Sequence, residues 1–509
     1  MIKISILATS DLHGYLYPTD YRQPPDTALG LAKIATYIEQ KRTQQPTLLI
    51  DNGDLIQGSP LTYYYHTKKQ GLDPMVTAVN ALHIDAAVFG NHEFNYGKDY
   101  LQQVIEQSHF PWLACNILTM DGTYWTKPYI FKELAGLRIA LIGATTHFVT
   151  LWENPTHIEG LQFVNAFEAV KSTVEMVRPL ADIVIVSYHG GFECDLQTGE
   201  VLETSTENEG YRMCQEIDGI DVLISGHQHR EIATFVHGKP VVQSGSKGSC
   251  LAEVELTIAG QTIIAAKPQL HYVDTQTKPY YPLLTHAQSL YNQTEQWLDT
   301  TIGTINAPIL VENPFEARLQ GHPFIDFIHR VQLEASGAQL STTALFHNGV
   351  SGFNTHVTMR DIVSSYIYPN TLKVLRLTGQ DILDALEQCA TYFEIKNNTL
   401  VVSPTFKVPK DEPYNYDLWA GIEYEFTISN PRGNRVTKAL YNGETIDVHA
   451  TFDVVMNNYR ATGAGNFPMF KNKPIIKDIQ IDMTELIGNY FYKYPVVEAT
   501  WNHNLKVKI

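Results

Sequence analysis

Five short stretches carry residues that bind divalent cations: Asp11-Leu12-His13-Gly14, Gly53-Asp54, Gly90-Asn91-His92-Glu93, His189-Gly190 and Gly226-His227-Gln228-His229. Together they offer carboxylate, imidazole and amide donors, and imidazole suits zinc or manganese better than calcium. Two such cations about 3.5–4 Å apart can acidify a water, hold phosphate oxygens and neutralise the charge that builds during displacement at phosphorus. The set points to phosphoester chemistry at a dinuclear centre, with Asp54 the natural bridging carboxylate. Any one of these stretches alone carries little weight in a chain with 19 histidines. Most of those, including His66, His83, His109 and His237, read as ordinary surface or core residues.

What gives the five stretches weight is where they fall. Apolar runs at 2–8, 47–50, 86–89, 182–187 and 221–225 precede them in turn, each a buried strand by its pattern. Alternating strands and helices build open sheets that place ligands beyond the carboxyl ends of their strands, so distant segments converge at one rim. Glycines 14, 53, 90, 190 and 226 suit the tight exits such loops need. Helical stretches are expected at 30–41 and 166–179, a connecting helix at 283–298, and a second α/β unit from 305. That unit has helices at 323–335 and 380–390 and strands near 372–377 and 452–456. The domain boundaries are drawn at 1–275, a linker at 276–304, and 305–509.

The order D-x-H, GD, GNHE, H-G, GH-x-H resembles the calcineurin-like metallophosphoesterase superfamily, and the remainder of the chain resembles its two-domain nucleotidase branch. Asp51-Asn52-Gly53-Asp54-Leu55-Ile56-Gln57-Gly58-Ser59-Pro60, Gly90 to Gly97, Tyr368-Pro369-Asn370-Thr371-Leu372 and Asn457-Asn458-Tyr459-Arg460-Ala461 are similar to bacterial 2′,3′-cyclic-nucleotide 2′-phosphodiesterase/3′-nucleotidases. The resemblance implies an α/β fold: an amino-terminal four-layer α/β/β/α metallophosphoesterase domain, then a carboxyl-terminal α/β substrate-binding domain. It assigns Asp11, His13, Asp54 and His229 to one metal and Asp54, Asn91, His189 and His227 to the other. The metals would be manganese or zinc first, iron or cobalt as alternatives. It makes His92 the catalytic side chain that faces the phosphoryl group, where a donor stabilises developing charge or helps the leaving oxygen depart.

Two departures from the wider family bear on substrate. In 5′-nucleotidases an aspartate pairs with the GNHE histidine, whereas here the position is Asn95, as in the cyclic-phosphodiesterase subgroup. The 5′-nucleotidases also carry an arginine in a loop that here reads Phe346-His347-Asn348-Gly349-Val350-Ser351-Gly352-Phe353. Losing that anion donor weakens recognition of a 5′-phosphate. Relatives clamp the base between two aromatic rings, for which Tyr368 and Tyr459 are the candidates, with Phe467 as substitute for the second; Asn348 and Asn370 are candidate polar contacts. Stacking is tolerant of base identity because every base has a π-face.

Composition bounds the rest. A chain of 509 residues with 44% apolar content suggests two globular domains, and no stretch reaches the roughly 18 apolar residues of a membrane span. A formal charge of −17 excludes broad binding to nucleic acid polymers, which need a basic face. The resemblance implies a small nucleotide as the partner, and the protein is expected as a monomer or weak homodimer. Met1 to Ser5 runs straight into the first strand with no room for a signal peptide. Five cysteines with no C-x-x-C pair suit reduced thiols, so a cytoplasmic location is expected, although relatives are often exported.

The expected activity is attack of a metal-bridging hydroxide, in line, on the phosphorus of a 2′,3′-cyclic nucleotide. The resulting 3′-nucleotide is then dephosphorylated at the same centre. Two other readings stand beside it: a 5′-nucleotidase or nucleotide-sugar hydrolase with the same metals, and a catalytically silent nucleotide-binding protein.

Overall fold

The apolar runs of the first half form strands buried on both faces, and the alternation of their side chains decides the layering. The computed structural model describes residues 1–21, 27–68, 71–201, 206–366, 368, 370–408, 410–479 and 481–509. Its chain divides into two compact units, Met1–Glu295 and Gln296–Ile509.

In the first unit, β1 (Ile2–Thr9), β2 (Thr47–Asp51), β3 (Ala86–Val88) and β4 (Trp112–Leu113) are joined in parallel. The chain then lays down β5 (Tyr129–Leu134), β6 (Leu137–Thr145), β7 (Ile183–His189), β8 (Val222–Ser225), β9 (Glu231–Val236) and β10 (Lys239–Ser244) as a second sheet. It returns to the first with β11 (Cys250–Ala259) and β12 (Thr262–Tyr272). The sheet orders are β12-β11-β1-β2-β3-β4 and β9-β10-β8-β7-β6-β5. Side chains alternate across a strand, and β6 shows what that does. Ile139 and Leu141 join a core shared with Ile4, Ile6, Leu48 and Ile50 of the first sheet, while Ala140 and Ile142 face a separate core lined by Phe167, Val170 and Val174. The first core lies between the sheets. The second lies under helices α2 (Ala166–Val177) and α3 (Gly210–Glu216), while α1 (Leu31–Arg42) buries its apolar stripe on the first sheet. This is the α/β/β/α layering.

The parallel register sets up the rim. Thr9 lies opposite Asp51 and Asp51 opposite Ala87; in the other sheet Thr145 lies opposite His189, and Tyr188 opposite Ser225. The strands before the five motifs therefore end level with their neighbours, and backbone hydrogen bonds tie the exits together: Asp11 N to Gly53 O (2.9 Å), His13 N to Asp54 O (2.7 Å) and Gly226 N to Gly190 O (3.2 Å).

Helix α4 (Tyr281–Leu298) contains the point of division. Its early turns belong to the first unit: Tyr291 stacks on Tyr17 with centroids 4.0 Å apart, and the Tyr17 hydroxyl donates to Leu284 O. No helix among the described residues is long and apolar enough to cross a membrane.

The second unit contains helices α5 (Pro314–Gln320) and α6 (Pro323–Ser336) and is built on strands β13 (Leu340–Ala344), β14 (Leu372–Thr378), β15 (Asp417–Ala420), β16 (Thr451–Asn457) and β17 (Ile475–Ile479), in the order β15-β13-β16-β14-β17. α6 starts on Pro323 behind a His322 cap and stops at the left-handed Gly337, the asymmetry proline and glycine impose. A capping box of Thr378 and Asp381 opens α7 (Gly379–Ala390), and α8 (Met483–Lys493) closes the layer. Such a box satisfies two otherwise orphaned backbone donors.

Candidate metal centre

Asp11, His13, Asp54 and His229 converge so that one ligating atom of each lies within 4.8 Å of the others. His13 Nε2 is 3.0 Å from His229 Nε2, and His229 Nε2 is 3.4 Å from Asp11 Oδ1. Asp54 occupies the centre. Its Oδ1 accepts the His92 amide (2.8 Å), and its Oδ2 faces His189 Nε2 at 3.3 Å and His13 Nε2 at 3.8 Å. One carboxylate thus reaches toward both halves of the predicted ligand set. The other half is joined by His227 Nδ1, 2.9 Å from Asn91 Oδ1, with the His189 and His227 rings 5.6 Å apart.

Ring tautomers are fixed from outside. His189 Nδ1 lies 2.6 Å from Asn52 O and His13 Nδ1 3.1 Å from Gln57 O. A carbonyl only accepts, so each Nδ1 carries the proton and each Nε2 turns a lone pair inward. His189 Nε2 is fully buried and makes no hydrogen bond among the described residues. A buried, unsatisfied acceptor aimed at carboxylates and other imidazoles is what a cation would complete. His227 works the other way round, with Nε2 2.9 Å from Glu207 Oε1, leaving Nδ1 to ligate. The donor set is entirely nitrogen and oxygen, and it fits divalent cations; we identify the cluster as a divalent-metal site.

The electrostatics agree. Burial works against ionising Asp54, yet His189, His92 and His13 outweigh it and hold the carboxyl well below the usual range. Asp11, buried likewise, is drawn down to about 2 by His229 and His189. Burial pushes His13 down to about 3, keeping the imidazole neutral. Burial opposes a charge on His189, but Asp54 and Asp11 lift it to about 10; these two carboxylates strongly favour positive charge at this point, and a cation held by them would free Nε2 to ligate.

The backbone carries a cost that the sequence reading placed elsewhere. Of the five motif glycines, Gly14 and Gly53 have positive φ (72° and 94°), but Gly90, Gly190 and Gly226 do not. Those three are needed for close approach: a Cβ would strike the Asp54 carboxylate at 90, the Tyr188 ring at 190, and the Ser10 and Asn52 side chains at 226. The left-handed conformation falls instead on the ligands Asp11, His13, Asp54, His227 and His229, with φ between 48° and 68°. Such strain persists only where surrounding structure enforces it.

Much of that enforcement comes from residues with no assigned role in the sequence reading. Glu93 is buried under the site and accepts amides of Asp54 (2.7 Å), Leu55 (2.7 Å) and Gly90 (2.6 Å). Burial raises its carboxyl to about 7 against those bonds. Asn52 accepts from Ser187 (2.6 Å) and donates to Tyr188 O (3.3 Å), linking the two sheets beneath His189. Glu93 and Asn52 stand inside motifs already singled out, so proximity in sequence was a signal; Glu207 had none.

His92 lies beside the cluster, its ring 5.3 Å from that of His13, and Nδ1 is 2.7 Å from Asn95 Oδ1. The candidate substrate residues are all in the second unit. Tyr368 is half-buried and meets Phe346 edge-on at 5.7 Å; Tyr459 is half-buried in the short helix Asn458–Ala461. Asn370 accepts the Met483 amide through its backbone carbonyl, and Pro369 of the same string lies outside the described residues. Phe467 departs from the expectation: it is fully buried, with Phe470 stacked 5.5 Å away and the Arg460 guanidinium 4.1 Å from its centroid. Its ring is core packing and offers no face to a base. Asn348 is engaged at both ends, accepting from Arg318 Nη1 and donating to Asp411, each at 2.8 Å. Arg318 of α5, itself buried, also donates to Leu345 O and so braces this loop from beneath.

Layered sheets with a divalent-metal site at their carboxyl rim are the arrangement expected of a metallophosphoesterase, and the family comparison agrees. Residues 4–231 match the calcineurin-like phosphoesterase family and 301–472 the 5′-nucleotidase carboxyl-terminal domain. The fold superposes on a putative 5′-nucleotidase from Staphylococcus aureus with a TM-score of 0.93 and 35% identity, covering all of both chains. The chain belongs to the two-domain 5′-nucleotidase family of calcineurin-like phosphoesterases. Among its relatives, a 2′,3′-cyclic-nucleotide 2′-phosphodiesterase/3′-nucleotidase of Haemophilus influenzae is 27% identical over 99% of this chain and 86% of its own. The trifunctional nucleotide phosphoesterase YfkN of Bacillus subtilis is 26% identical over 99% of this chain, which spans only 39% of that protein.

Proposed function

We propose that the protein hydrolyses nucleotide phosphoesters, opening 2′,3′-cyclic nucleotides to 3′-nucleotides and dephosphorylating these to nucleosides. The observation that carries this reading is His92, held by the amide of Asn95 beside a metal-ligand cluster in which Asp54 faces both ligand sets. The full-length likeness to a relative named for that double activity supports it. Two divalent cations are assigned, manganese or zinc before iron or cobalt, one on Asp11, His13, Asp54 and His229 and one on Asp54, Asn91, His189 and His227. When bound they supply the activated water and neutralise charge at phosphorus. The chain's own contribution is positional. Asn52 and Gln57 set the imidazole tautomers, Glu93 fixes the loops of Asp54 and Asn91, and His92 stabilises or protonates the departing oxygen. Tyr368 and Tyr459 stack on the base, Asn348 and Asn370 serve as polar contacts, and the functional division follows residues 1–275, 276–304 and 305–509.

The 35% identity to a protein named a putative 5′-nucleotidase favours a second reading, in which the same centre takes 5′-nucleotides or UDP-sugars. A phosphate-release assay on manganese-loaded protein separates them, comparing 2′,3′-cyclic AMP, 3′-AMP, 5′-AMP and a UDP-sugar. Preference for the first two, lowered roughly 100-fold or more in His92→Ala, is expected. Preference for 5′-AMP or the UDP-sugar establishes the second reading, and no turnover restores the silent binder. We further assign the protein to the reducing cytoplasm as a monomer or weak homodimer. All five cysteines are free and buried, and thiol titration of freshly denatured protein should count five.

A further inference from the structure

An asparagine beside a catalytic imidazole raises a problem that an aspartate does not. A carboxylate can only accept, so it forces the facing ring nitrogen to carry a proton. An amide has one accepting and one donating end, and left alone it can turn either toward the ring. In this structure Asn95 is not left alone. Its Oδ1 is 2.7 Å from His92 Nδ1, and its Nδ2 donates to Glu153 Oε2 at 2.7 Å. The Glu153 side chain is only 7% exposed, and its other oxygen accepts the Asn154 amide (2.8 Å) and lies 2.9 Å from His157 Nδ1. Both carboxylate oxygens are thus committed to donors.

We propose that Glu153 is a positioning residue for His92, acting through Asn95. Because Glu153 cannot donate while ionised, Nδ2 must be the end of the amide that faces it, and Oδ1 is the end left for His92. The imidazole then holds its proton on Nδ1 and presents Nε2 away from Asn95. The acid lies here one hydrogen bond outward from the ring, and the amide transmits its polarity. His157 and the Asn154 amide complete the chain by fixing the carboxylate plane. The two positions are therefore a matched pair, and neither acts correctly without the other.

This inference rests on the role assigned to His92 above, and an exchange of the two side chains tests it. In Glu153→Gln one acceptor is lost, so Asn95 and the Asn154 amide compete for the remaining oxygen. In Asn95→Asp two carboxylates face each other. In the double variant the new carboxylate at position 95 accepts from both His92 and the new amide at position 153, whose oxygen in turn accepts from Asn154 and His157. Each single change is expected to lower kcat roughly tenfold with KM within about twofold, and the double variant to recover to within about threefold of the native enzyme. Long-range proton–nitrogen spectra of histidine-labelled protein, with His92 assigned by its absence in His92→Ala, should report an Nδ1–H ring in the native and double variants and a mixed population in Glu153→Gln. Unchanged kcat in Glu153→Gln, or a loss that the double variant does not restore, overturns the proposal. Full activity in His92→Ala would instead overturn the role given to His92, whatever the spectra show.

Discussion

Glu93 spends its carboxylate on the backbone, accepting the amides of Asp54, Leu55 and Gly90 from the two loops that bring Asp54 and Asn91 to the site. Replacing it with glutamine keeps the shape and sets an NH₂ group against backbone donors. Leaving such a buried donor unsatisfied costs about 1–3 kcal/mol. Glu93→Gln should therefore lower both the thermal midpoint and the bound metal per chain, read by calorimetry and elemental analysis; an unchanged metal content would show that the loops hold their shape without it. The contrast with the ligands explains what the sequence makes legible at this scale. Asp11, His13, Asp54, Asn91, His189, His227 and His229 announce themselves by type and by standing at strand ends. Glu207, Glu153 and Arg318 are common charged residues whose roles exist only through contacts made across the fold, and nothing local marks them. Phe467 misleads for the related reason that an aromatic ring reads the same in sequence whether it lines a pocket or fills a core.

The strands before the motifs are legible because their runs are mostly apolar and each leads within a few residues into a motif. Helices α1, α2, α6 and α7 begin and end within a few residues of the boundaries expected from their periodicity, since caps and prolines punctuate them. What the elements concealed is the conformation of the loops after β1, β2 and β8, where the ligands and not only the glycines are left-handed. A side chain in that region costs roughly 1–2 kcal/mol that glycine avoids. His229, with φ of 55°, offers the cleanest comparison. Both His229→Ala and His229→Gly remove the imidazole, but in metal-free protein the glycine variant should be more stable by about 1 kcal/mol. Urea unfolding of the two metal-free variants checks this, and equal midpoints would mean the loop relaxes when the ligand is gone.

Each unit carries its own core, so the whole molecule need not respond to acid uniformly. His329, on α6 in the second unit, is pushed down to about 3 by burial, with Nδ1 against Ser341 Oγ at 2.8 Å. Below about 6.5 the unfolded chain takes up a proton that the folded unit refuses. The stability of this unit is thus fully present above that value and falls by up to about 1.4 kcal/mol per pH unit toward 3. Hydrogen exchange of the α6 amides between pH 7 and 5 should show this slope, and His329→Leu should flatten it; a slope unchanged by the substitution would assign the acid response elsewhere. The topology of the first unit has another consequence, for synthesis. β1 lies in the middle of its sheet, and one of its two neighbours is β11. Asp11 leaves the ribosome far ahead of His229 and β11; at about 5–20 residues per second, roughly ten to forty seconds separate the first ligand from the last. Nascent chains therefore hold scattered donors and no site, and cation capture waits for the finished unit.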